Sequence, residues 1–81
     1  MYKLKKHTEF PQGNLHFLAV RYFEEGETAV LEVMLCKNVG SIAQVVGVVC
    51  NRRGDKQTMD DLYETVCRNL KELDNILTKY R

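Results

Sequence analysis

Apolar positions along this chain change pattern once. From Leu15 to Cys50 they fall in strand-length runs with apolar residues on both faces, and from Met59 onward they recur every three to four residues. The first regime predicts strands at Leu15–Phe23, Thr28–Cys36 and Ile42–Cys50. The second predicts one helix over Met59–Tyr80, where Met59, Tyr63, Val66, Leu70, Leu73, Leu77 and Tyr80 form a stripe that Leu62 and Ile76 widen. Leu70 and Leu73 lie mid-stripe and are expected to be buried. Ahead of these, Met1–His7 alternates loosely, with Lys3 and Lys5 on one side and Tyr2 and Leu4 on the other. That pattern suits a short edge strand guarded by lysine, ended by the turn chemistry of Thr8–Asn14 with its single proline, Pro11.

The second and third strands flank Glu24-Glu25-Gly26-Glu27, a tight reversal in which glycine tolerates positive φ. Centring the turn between Glu25 and Gly26 sets Val20 opposite Leu31, Leu18 opposite Val33, His16 opposite Leu35 and Tyr22 opposite Ala29. Arg21 then lies diagonal to Glu32 on the other face, as a cross-strand ion pair. The next run, Ile42-Ala43-Gln44-Val45-Val46-Gly47-Val48-Val49-Cys50, has one polar residue and reads as a strand buried on both faces, with Gly47 marking a bulge or a close backbone approach. Asn51–Lys56 reads as a polar loop. Thr58 is the expected N-cap, with Asp60 and Asp61 in the first helical turn.

The fold expected is therefore α+β: an antiparallel meander of three to four strands with one C-terminal helix packed on one face, residues 1–81 forming a single domain. One helix covers one sheet face. If it covers Leu18, Val20, Leu31 and Val33, then Leu15, Phe17, Val30 and Met34 face outward and form an interface, with Phe17 as anchor. A core this small supplies about 3–5 kcal/mol, so association is a natural supplement. The leading expectation is a small non-enzymatic protein-binding or regulatory protein, acting as a homodimer or as a subunit of a complex. Chains of this size and plan occur among bacterial and phage accessory proteins.

Charge and candidate chemistry modify this picture little. Net charge is +1, which gives no global attraction to nucleic acid or acidic membranes. No apolar run reaches the ~20 residues of a membrane span, and no apolar signal core follows the basic start. Cys36, Cys50 and Cys67 are odd in number and sit among apolar neighbours, which suits free thiols and a cytoplasmic location. No paired ligand spacing predicts a metal, no fingerprint predicts a cofactor, and no constellation predicts a small-molecule substrate or catalysis. The alternative is a nucleic-acid-binding regulator. Lys3, Lys5 and Lys6 would join Arg52 and Arg53 into one basic patch if the first strand lay beside the fourth, with Tyr2 or Phe10 stacking bases. Arg52 and Arg53, just before a helix N-terminus, are also the candidate phosphate contact.

Overall fold

A computed structural model describes the backbone of residues 1–79 and the side chains of residues 1–73. Four strands, β1 (Lys3–Gln12), β2 (His16–Glu25), β3 (Thr28–Val39) and β4 (Ile42–Asp55), are followed by one helix, α1 (Lys56–Lys79). The strands form a single antiparallel sheet in the order β1-β2-β3-β4, and α1 packs on one face of it. The molecule is an α+β meander, as the change of pattern implies.

The helix covers the face carrying Phe10, Val20, Tyr22, Ala29, Leu31 and Val33, against which it buries Met59 and Tyr63. Leu62, Val66, Cys67 and Leu70 complete the helical side of the contact, so the seam follows the i, i+3, i+4, i+7 spacing of one helical face. Val20, Ala29 and Leu31 are fully enclosed. Among the described residues the contact reaches Leu70, and Leu73, expected inside the stripe, is 45% exposed. The stripe residues Ile76, Leu77 and Tyr80 lie outside the residues whose side chains are described.

β2 and β3 run on past their expected ends to Glu25 and Val39, and three further boundaries differ from the sequence reading, each for a local reason. Strand β1 runs on to Gln12, and Pro11 pairs with Phe17 inside it. β1 is an edge strand, where a residue without an N–H costs no ladder bond on the open side. β4 runs on to Asp55, because its polar end Asn51–Asp55 still pairs with Glu32–Thr28. The helix N-cap is Asp55, not Thr58. Its carboxylate accepts the Thr58 backbone N–H at 2.9 Å and the Thr58 hydroxyl at 2.8 Å. The first turn is therefore Lys56–Met59 and holds no acidic residue, with Asp60 and Asp61 one turn further on.

The β2–β3 register is displaced by two residues from the expected one. Glu25 pairs with Thr28, leaving Gly26 and Glu27 as a two-residue turn with Gly26 at φ 58°. Glycine at the first central position followed by a residue with negative φ is the II′ pattern, whose twist matches the flanking strands. Val20 consequently faces Val33, and Tyr22 faces Leu31. Because side chains alternate with period two, a shift of two leaves every residue on its assigned face.

Candidate functional site

The surface the helix leaves open is not the bare apolar sheet face expected. Arg21 and Glu32 are direct cross-strand neighbours rather than diagonal ones, yet no ion pair joins them, and Arg21 Nε is buried without a hydrogen-bond partner. Of the four residues proposed for the interface, Met34 is buried, Phe17 and Val30 are half-buried, and Leu15 lies exposed in the turn between β1 and β2. Ala19, Met34 and Cys36 form a second small cluster with Phe17 packed against it. Ala19 is buried in this cluster although it lies on the open face, so the face covers part of its own apolar surface. Toward the other end of this face, Tyr2, Phe23, Val30, Glu32, Asn51 and Arg53 line a shallow depression of about 290 Å³. Arg53 lies over the Tyr2 ring with its guanidinium carbon 5.5 Å from the centroid.

The expected basic patch does not assemble, because β1 and β4 occupy opposite edges of the sheet. Lys3 and Lys5 stay on the β1 edge, beside Glu24, Glu25 and Lys56. Lys6 is turned to the helix and paired with Asp60. Arg52 and Arg53 are consecutive strand residues, opposite Leu31 and Val30, and so leave the sheet on different faces. The helix N-terminus they were expected to flank is already occupied by the Asp55 carboxylate. Phe10 is in the core and unavailable for stacking.

The polar groups that do converge lie where β1 meets α1. Lys6 sits 5.4 Å from the ring centroids of both Tyr22 and Tyr63 while it pairs with Asp60. The Tyr63 hydroxyl and Thr8 Oγ1 are 2.6 Å apart, and the Tyr22 hydroxyl donates to Glu24 at 2.9 Å. A hollow of about 260 Å³ lies between Lys6, Tyr22, Glu24, Lys56, Gln57 and Asp60. Burial, reinforced by the Glu24 carboxylate, pushes the Tyr22 phenol up to about 12. The hydrogen bond to Asp60 raises Lys6 above its ordinary value against a smaller opposing effect of burial. At neutral pH Lys6 is thus an ammonium and Tyr22 a neutral phenol, neither poised as a base or nucleophile. These groups act as a clasp between β1 and the helix.

The feature that sequence reasoning misjudged is β4. Its run Ile42–Val49, expected to be buried on both faces, is exposed throughout, with Ile42, Val45, Val46, Val48 and Val49 between 51% and 69% exposed. The last strand of the meander has a neighbour on one side only, and among the described residues the helix side packs on β4 at Cys50 and Gly54, beyond the Ile42–Val49 run. Two register shifts against β3 leave Val46 and Val49 as extra residues in β4, so it is bulged on either side of Gly47. Val39, just before the β3–β4 turn, is also exposed and extends the strip. The valine run is the sequence signal of a strand suited to burial, and among the described residues the fold leaves it uncovered.

Among the described residues no helix is long and apolar enough to cross a membrane, and no group of His, Cys, Asp and Glu side chains is arranged to hold a metal ion. The three thiols are unpaired, Cys36 on the open face and Cys50 and Cys67 on the helix side. No protein-family model, curated protein or solved structure matches the chain.

Proposed function

We propose that this is a protein-association module, a non-enzymatic subunit that works by pairing with another protein chain through the β4 edge. The observation that carries the reading is the exposed strip Val39–Val49, apolar on both faces and open along its backbone. Full burial of one such side chain is worth roughly 1.5–3 kcal/mol, and each unpaired backbone group on the edge is available for a ladder bond. A partner strand would satisfy both at once, which is how β-augmentation works. The three free thiols favour a reducing compartment, and the reading puts the protein in the cytoplasm.

The test is the mass of the particle in solution. Light scattering across the micromolar range should give an assembly larger than one chain. If the wild type is monomeric, a tagged wild type and its Val48→Lys variant are compared for the proteins they retain. A monomer that retains nothing dependent on Val48 overturns the reading.

A further inference from the structure

We infer that the partner of β4 is a second copy of this chain, paired antiparallel over Ile42–Arg52 about a two-fold axis at Gly47. The inference rests on the association reading above and specifies its occupant and register.

A two-fold interface brings the same surface against itself, so the segment on the axis must be complementary to its own reverse. β4 has that property. Val45-Val46-Gly47-Val48-Val49 reads alike in both directions. Antiparallel pairing centred on Gly47 sets Val46 opposite the partner's Val48 and Val45 opposite the partner's Val49, β-branched pairs of the kind that stabilise sheets. Charge agrees with this register. Nothing from Ile42 to Cys50 is charged, and the first charged residue beyond, Arg52, falls opposite the partner's Ile42, so no like charges meet. At the axis stands the one residue of the segment without a side chain, and a Cβ built on Gly47 would meet nothing within 4 Å. Glycine within a strand is found where another backbone approaches closely.

The same geometry predicts closure. Once the two β4 strands pair, the edges left in the combined sheet are two copies of β1, each carrying Lys3, Lys5 and Pro11. Those residues discourage a further strand, so the assembly stops at a dimer with an eight-stranded sheet.

Charge reversal across the proposed pair tests occupant and register together. By sedimentation equilibrium, Val46→Lys and Val48→Glu should each weaken the dimer at least ~10-fold. The double variant V46K/V48E, which sets opposite charges facing each other across the axis, should return to within a few-fold of wild type. V46K/V49E, out of register by one, should stay weak. Should V46K/V48E lose its circular dichroism signal, V45K/V49E poses the same question at the next pair. Rescue of the matched double alone establishes the inference. A wild-type dimer in which both doubles are equally weak, or in which no β4 substitution matters, overturns it. A monomeric wild type also overturns it, and the broader association reading then falls only if no protein is retained through Val48.

Discussion

The sheet has two edges, and the chain treats them in opposite ways. β1 carries Lys3 and Lys5 on its exposed rim, a register irregularity between Leu4 and Lys6, and Pro11 near its end. Its inner side is fastened to the helix by Lys6–Asp60 and Thr8–Tyr63. Each of these is a known means of blunting a strand edge. Along Ile42–Val49 on β4 there is no lysine and no proline, and among the described residues no helix cover, only bulges. Both strands are edges of one sheet, so topology alone does not explain the difference. The contrast is what the association reading rests on: one edge is guarded by charge, proline and helix contacts, the other by bulges alone.

Moving the guard from one edge to the other should have the largest effect. Val46→Lys with Val48→Lys sets like charges against each other, a cost of several kcal/mol to association. Folding of the monomer should change by less than about 0.5 kcal/mol, since both positions are exposed. The thermal midpoint should then lose its dependence on protein concentration, and scanning calorimetry at several concentrations checks it. Stripping the guard from β1 is the reciprocal experiment. Lys3→Val with Lys5→Val and Pro11→Val should produce aggregates larger than a dimer, read by light scattering during dilution from denaturant; an unchanged particle size would mean those residues protect nothing.

Smaller effects sharpen the contrast at the clasp. Tyr63→Phe removes the hydroxyl that bonds Thr8 and should cost about 1 kcal/mol in urea unfolding. Lys6→Met should cost less, under about 1 kcal/mol, because its pair with Asp60 is more than a third exposed to solvent. The smallest expected effect is at Asp55, whose carboxyl is held below its ordinary value of 3.8 first by the Thr58 backbone N–H and then by the Thr58 hydroxyl. A group lowered on folding stabilises the fold above its unfolded pKa, and that stabilisation is lost as pH falls through the lower folded value. Helical circular dichroism should therefore fall with acid below about pH 4 in the wild type and more shallowly in Asp55→Asn, which keeps an acceptor oxygen but no titration. Lys6 has the opposite sign: raised on folding, its contribution is complete at neutral pH and is lost only in strong alkali, as pH rises through the folded value.

Faces were more legible in the sequence than ends or edges. Val20, Tyr22, Leu31 and Val33 share the helix-covered side because period two survives any even error in register, and the turn was misplaced by two. The helix stripe was legible through Leu70 and misled at Leu73, because spacing carries no information about whether a sheet lies beneath. Asn51–Asp55 looked like a loop because a polar edge strand and a polar loop have the same composition. That hid both the true end of β4 and the capping role of Asp55. The open strip on β4 was not legible for a related reason. A valine run records that a strand wants burial on both faces, and reads the same whether the cover comes from the same chain or another.

The clasp has a consequence for the order in which the chain folds. Every strand pairing in the meander joins sequence neighbours through a short turn, whereas Lys6–Asp60 and Thr8–Tyr63 span 54 and 55 residues. Contacts of such separation bear the largest loop-closure entropy, so they form after the hairpins. A ribosome delivering the chain from its N-terminus releases β1 to β4 before α1. Until the helix arrives, Val20, Leu31 and Val33 lie as bare as the β4 valines. In pulse-labelled hydrogen exchange, amides paired across the β2–β3 turn should gain protection first and those within α1 last.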